Sequence, residues 1–231
     1  MAYTRGVLPM ITVHHLENSR SQRVLWLLEE LGLEYRIKRY ERDPATLMGP
    51  DSLKKVHPLG KSPVIKDQGK VIAESGAIIE YLIGHYGDGR LIPPPGSDER
   101  LAYTYWLHYA EGSLMPMLLL KLVFDRFAHP PMPLVMRPVA AVIAIGVKAK
   151  FVTPRLNEHL DFIEAELGKS TWFAGEKLTG ADIQMSFPLE AAVARGAAGE
   201  DRPNIGAFVE RVHERPAYQE ALKRGGEYDY A

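Results

Sequence analysis

The stretch Ile11-Thr-Val-His-His-Leu-Glu-Asn-Ser-Arg-Ser-Gln-Arg-Val-Leu-Trp-Leu-Leu-Glu-Glu-Leu31 decides the fold. Its first six residues, Ile11 to Leu16, are rich in β-branched side chains and predict a strand. Glu17 to Ser21 is polar, with two serines and an asparagine that favour a helix start. Val24, Leu25, Leu27, Leu28 and Leu31 then recur at helical spacing, and Gly32 closes the helix. Tyr35 to Glu41 predicts a second, weaker strand. Together these segments make a βαβ unit.

Working outward, a loop with a short helix near Ser52–Val56 comes next. Pro63-Val-Ile-Lys-Asp-Gln-Gly-Lys-Val-Ile-Ala73 predicts a β-hairpin turning at Gln68-Gly69. Ser75 opens a helix with Ile78, Ile79, Leu82 and Ile83 on its apolar face, ending at Gly87. The order βαβ then ββα predicts a thioredoxin-like sheet with helices packed on it. Three consecutive prolines and several glycines then mark a linker. Everything beyond it predicts helices: Glu99–Phe127, with a bend near Pro116 left open, then Lys148–Leu167, Ala181–Arg195, Ile205–His213 and Ala217–Arg224. His129–Pro138 is a proline-rich break. The fold class is α/β plus all-α: a thioredoxin-like domain over residues 10–88, a linker over 89–98 and an all-helical domain over 99–231.

Bulk properties narrow the function. Apolar residues make up 46% of the 231-residue chain, enough for a packed core, and no run has membrane length. The net charge of −1 gives no reason to expect nucleic acid or a membrane as partner. The chain has no cysteine, which excludes disulfides, Cys-ligated zinc and a protein thiol nucleophile. A reducing, cytoplasmic setting is expected. No secretory signal is visible, and the residues before Met10 read as a short polar extension.

The chemistry-bearing residues each have two readings. Ser19 sits between the first strand and the first helix, where it is a helix cap or a hydroxyl donor to a bound anion, with Ser21 as the competing cap. Gly60-Lys-Ser-Pro63 is no phosphate loop, since Lys55 stands at the first glycine position and Pro63 follows in place of a helix. A cis Ser62–Pro63 bond there would turn the Ser62 backbone toward an extended peptide. Glu74-Ser75 is a cap, or a pair for the ammonium and carboxylate of an amino acid. Tyr105 and Tyr109, one helical turn apart, are core or pocket wall. Thr179-Gly-Ala-Asp182 is a capping box and a folding signal. His14 and His15 should point to opposite faces of their strand, and His159, beside Glu158 and Asp161, reads as a solvated face. No metal site is expected.

The order of these signals resembles the glutathione transferases over nearly the whole chain from Met10. His15 to Leu31 is similar to the serine-type branch found in fungi and bacteria. So are His57-Pro-Leu-Gly-Lys-Ser-Pro63, Ala73-Glu-Ser-Gly76, Tyr109-Ala-Glu-Gly-Ser113 and Gly180-Ala-Asp-Ile-Gln-Met-Ser-Phe-Pro188. The resemblance implies a detoxifying transferase, usually a homodimer, that uses glutathione as co-substrate and joins its thiolate to a small, apolar electrophile. It implies Ser19 as thiolate partner and Lys61 for the glycine carboxylate. Ser62, with Pro63 cis, would pair with the cysteinyl residue. Glu74 and Ser75 would hold the γ-glutamyl end, and Tyr105 and Tyr109 would wall the electrophile pocket. Arg20 adds positive charge beside Ser19 or faces solvent. The alternatives are peroxide reduction, isomerisation or dehalogenation with glutathione, or a non-catalytic protein-interaction module.

Overall fold

The computed structural model describes residues 10–231 apart from residues 44, 45 and 47. The extension read before Met10 lies outside the described residues. Strands β1 (Ile11–Leu16) and β2 (Tyr35–Tyr40) flank helix α1 (Ser21–Leu31) in the chain. After the short helix α2 (Asp51–Lys54) come β3 (Val64–Asp67), β4 (Lys70–Ala73) and α3 (Ser75–Tyr86). The sheet order is β2-β1-β3-β4. Val13 at its centre pairs in parallel with Ile37 and antiparallel with Ile65. This is the expected thioredoxin-like unit.

Helix α1 is more deeply placed than a surface helix. Val24, Leu25, Trp26, Leu27 and Leu28 are all fully buried. The helix packs on α3 and, from the helical half, on α8 (Gly180–Ala194) and α10 (Pro216–Gly225). One apolar core therefore runs from Val13 and Ile65 through α1 to Tyr103, Ile183 and Phe208.

The helical half also contains α4 (Asp98–Tyr109), α5 (Met115–Arg126), α6 (Arg137–Val147), α7 (Thr153–Leu167) and α9 (Pro203–His213). Helix α6 corrects the sequence reading, which ended a proline-rich break at Pro138 and resumed the helix at Lys148. Pro138 lies in the first turn of α6, where a missing N–H costs nothing. The run Val139 to Val147 is apolar on every side, so it shows no helical period. Val139, Val142, Ile143 and Ile145 accordingly stay exposed.

The run expected over Glu99–Phe127 is one helical run from α4 into α5, with a π turn at Ala110–Leu114. A second π turn, Lys148–Val152, joins α6 to α7. Each is followed two residues later by a proline, Pro116 or Pro154. A wider turn relieves the clash between a proline ring and the carbonyl four residues before it.

The capping box of α8 is present as read. The Asp182 carboxylate accepts the Thr179 N–H and hydroxyl and, from outside the box, the Phe173 N–H at 2.7 Å. Burial pushes the Asp182 carboxyl up to about 6 against the pull of these bonds. Asp182→Ala strands three buried donors, so denaturant unfolding should show a loss of at least about 2 kcal/mol. A carboxyl with a raised folded pKa adds stability that is complete below the unfolded pKa. That stability is lost as the pH rises through about 6. Asp182→Asn, which cannot ionise, should flatten that fall in an unfolding series across pH 4–6.

Candidate active site

A cleft of about 280 Å³ opens between the start of β3, the start of α3 and the first π turn. Lys61, Ser62, Pro63, Glu74 and Ser75 all line it, joined by Arg20, His57 and Glu111. Five of the six residues read as glutathione contacts thus meet on one wall.

The turn before β3 is pinned by Ser62. Its hydroxyl donates to the His14 carbonyl at 2.8 Å and accepts the Leu16 N–H at 3.2 Å. The Ser62–Pro63 peptide is cis, as expected. Glu74 ends the turn before α3 with φ at +68°, a conformation that non-glycine residues seldom hold. It makes no side-chain cap bond, so the capping reading of Glu74 fails. Glu74 and Lys61 are exposed, and neither forms an ion pair among the described residues.

Behind this wall lies a charge that the sequence reading missed. Arg23 is 1% exposed. Its guanidinium donates to the Ser75 hydroxyl, to Glu111 and to the Gln184 carbonyl. That carbonyl is available because Pro188, four residues on in α8, has no N–H to give it. Burial pulls Arg23 below its usual pKa, and the Glu111 charge opposes this. Glu111, on the π turn, also receives the Arg20 Nε, which lies 2.9 Å from both its oxygens. Burial pushes the Glu111 carboxyl up, but Arg23 and Arg20 together hold it below the usual carboxylate range. Arg20 therefore faces the cleft, clasped to the helical half. The available signal was a lone Arg beside the apolar spacing of α1 and a lone Glu two residues past Tyr109.

Ser19 is 5% exposed and is not on the cleft wall. Its hydroxyl donates to the Leu16 carbonyl at 2.7 Å and lies 2.7 Å from the Ser21 hydroxyl. It also accepts the Ser21 N–H at 3.2 Å. The cap position of α1 falls to Arg20, without a side-chain cap bond. The Leu16 peptide thus stands between Ser19 on one side and Ser62 on the other.

Tyr105 and Tyr109 stack at 5.5 Å among Trp106 and Phe162, and neither lines the cleft. Tyr109 is buried and Tyr105 half exposed. His159 is not simply solvated: it is partly buried and bonded to the Tyr109 hydroxyl, because the tyrosine tip reaches α7. Among the described residues no cluster could hold a metal ion, and no helix is long and apolar enough to cross a membrane.

Comparison with known proteins adds four findings. Residues 8–83 match the family described as Glutathione S-transferase, N-terminal domain, and residues 146–216 match Glutathione S-transferase, C-terminal domain. Glutathione S-transferase 1 of Saccharomyces cerevisiae is 36% identical over 219 residues, covering 91% of this chain and 93% of the relative. A glutathione S-transferase structure from Actinobacillus pleuropneumoniae superposes with a TM-score of 0.80 at 35% identity, over 96% of this chain and 95% of the other. A glutathione transferase from Phanerochaete chrysosporium, in complex with oxidized glutathione, shares the fold at a TM-score of 0.72 and 23% identity, over 94% of this chain and 96% of that one.

The Arg23–Glu111 pair generates a stability prediction. Glu111→Ala leaves a buried guanidinium without its counter-charge. The loss should be on the order of 3 kcal/mol, the low end for broken buried pairs because Glu111 keeps some solvent contact. Glu111→Gln should recover part of it. Because the folded Glu111 pKa is depressed, its contribution is complete above pH 4.5 and is lost as the pH falls through the folded value. Urea unfolding at pH 7 and at pH 3 should therefore separate wild type from Glu111→Gln more widely at the higher pH.

Proposed function

The chain belongs to the glutathione S-transferase family, and on that footing we propose that it joins the thiolate of glutathione to a small apolar electrophile. The observation that carries the reading is the cleft wall itself. A cation, Lys61, and a carboxylate, Glu74, neither in an ion pair among the described residues, line it together with Ser62. That is the complement of a short peptide with a free carboxylate at one end and an ammonium at the other. Lys61 takes the glycine carboxylate and Ser62 the cysteinyl backbone. Glu74 takes the γ-glutamyl ammonium, with Ser75 and the first amides of α3 on the carboxylate beside it.

Ser19 is proposed as the thiolate partner, as in the serine-type branch. A serine hydroxyl is too weak an acid to deprotonate a thiol, so its role is donation to the sulfur once charged. A hydrogen bond to a charged group is worth roughly 1.5–3 kcal/mol, which lowers a thiol pKa by about one to two units. From about 8.5, two units raise the thiolate at pH 7 from about 3% to about 75%. Nucleophilicity falls with basicity, and a slope near 0.4–0.5 takes back roughly 6–10-fold. The net gain is about 2.5–4-fold. Holding the electrophile beside the sulfur supplies the rest. The electrophile is placed against the helical run from Glu99, which carries Tyr105, Tyr109 and Glu111. Family membership also supports a homodimer, and the exposed apolar face of α6 offers surface that a second copy could cover.

Two measurements test the reading. Ser19→Ala should raise the pKa of bound glutathione by about one to two units, read as thiolate absorbance against pH. Ser19→Thr should stay near wild type. Unchanged Ser19→Ala curves would take Ser19 out of the chemistry. Glu74→Gln should weaken glutathione binding about 10- to 150-fold in calorimetry while leaving stability in place. Equal affinities would remove Glu74 from the site.

A further inference from the structure

Behind Ser19 the hydrogen bonds continue. The Ser19 hydroxyl lies 2.7 Å from that of Ser21, and the Ser21 hydroxyl lies 2.8 Å from His15 Nδ1. All three side chains are at most 5% exposed, so water does not substitute for any of these partners. We propose that His15 is a positioning residue which, through Ser21, sets whether the Ser19 hydroxyl points inward to the Leu16 carbonyl or outward to a bound thiolate. The proposal rests on the reading of Ser19 as thiolate partner.

Counting protons makes the case. The two hydroxyls supply two protons. With Ser19 turned inward, its proton goes to the Leu16 carbonyl, the 2.7 Å contact between the serines takes the Ser21 proton, and His15 Nδ1–H donates to the Ser21 oxygen. The three contacts thus use three protons, two from the hydroxyls and one from a neutral ring protonated on Nδ1. When Ser19 turns to a thiolate, the Leu16 carbonyl loses its donor. Ser21 can replace it, since its hydroxyl already stands 3.2 Å from the same carbonyl. The Ser21 oxygen keeps the His15 Nδ1–H throughout, and the Ser19 oxygen keeps the Ser21 N–H, so the ring tautomer does not change. Every buried group stays paired in both states, which an apolar residue at position 15 would not allow.

The groups around the ring agree with a neutral switch. Burial, with Arg39 across the strand pair, lowers the His15 pKa to about 4, while Gly225 and Glu17 pull the other way. The ring therefore works as a neutral hydrogen-bond donor rather than through charge. His14 is an internal control. It is equally buried on the same strand, but its Nδ1 meets the Tyr40 hydroxyl at 2.7 Å and not the serines.

The test is the titration of glutathione bound to the full-length enzyme, read as thiolate absorbance, with KM and kcat measured alongside. His15→Leu and Ser21→Ala should each raise the thiol pKa by about one unit, a tenfold loss of thiolate wherever the pH lies below both values. KM for glutathione should stay within about twofold, since the cleft wall is untouched. His15→Asn, whose amide offers either a donor or an acceptor, should recover most of the shift, and His14→Leu should show none. Wild-type curves for His15→Leu and Ser21→Ala beside a shifted Ser19→Ala would overturn this inference and leave the proposed function standing. An unshifted Ser19→Ala would overturn both. A rise in KM without a pKa shift would reduce His15 to a structural role. Should His15→Leu fail to fold, Ser21→Ala decides alone.

Discussion

The architecture turns on one buried charge. Arg23 sits in the helix that the rest of the core surrounds, and a guanidinium there must find its partners inside the protein. They come from three places: the hydroxyl that starts α3, the carboxylate on the π turn, and a backbone carbonyl of α8. Each contact reaches a different segment, so the sheet half and the helical half meet around a single group. Pro188 shows how far the accommodation goes. A proline inside a helix is normally a defect, yet here the carbonyl it leaves idle is the one Arg23 uses.

This buried network and the open cleft divide the work. Arg23 and Glu111 are committed to each other and fix the shape of the wall, while Ser75, which accepts from Arg23, keeps its own proton for the ligand and links the two. Lys61 and Glu74 carry charges that no described residue answers, so they are left for a ligand. The serines behind the β1–α1 turn form a third layer, satisfied within the protein and able to reorient. Stability and recognition thus fall mostly to different side chains along the same short stretch of surface, with Ser75 serving both.

Much of this was legible in the sequence, for reasons that can be named. The β1–α1 unit announces itself because strand and helix periods change abruptly at a polar turn. The hairpin, the capping box and the grouping of Lys61, Ser62 and Pro63 with Glu74 and Ser75 depend on local backbone geometry, which short motifs encode. What escaped depends on distance or on a missing contrast. Arg23 and Glu111 are 88 positions apart, and nothing local tells either of the other. The inward turn of Ser19 is a choice between rotamers, invisible to spacing. Helix α6 lacks a polar face, so there was no period to read. His159 was assigned to solvent from its charged neighbours, while the tyrosine that engages it lies on another helix.

The two π turns add a point about phase. An α-helix advances about 100° per residue, so buried residues at a strict spacing of four drift around the axis. Trp106, Ala110, Leu114 and Leu118 keep that spacing and are all buried. Over that span a plain α-helix would carry the face about 120° round, but absorbing one residue in the wide turn cuts the drift to about 20°. Ala144, Val152 and Leu156 lie at multiples of four across the second π turn and are buried too, with the half-buried Lys148 between the first two. The spare residue in each helix acts as a phase correction, specified by chain length more than by residue identity. Deleting the spare residue would let the turn close as a plain α turn with the core face still in phase, whereas one further residue inserted there would rotate everything beyond it by about 100° and turn that face toward water.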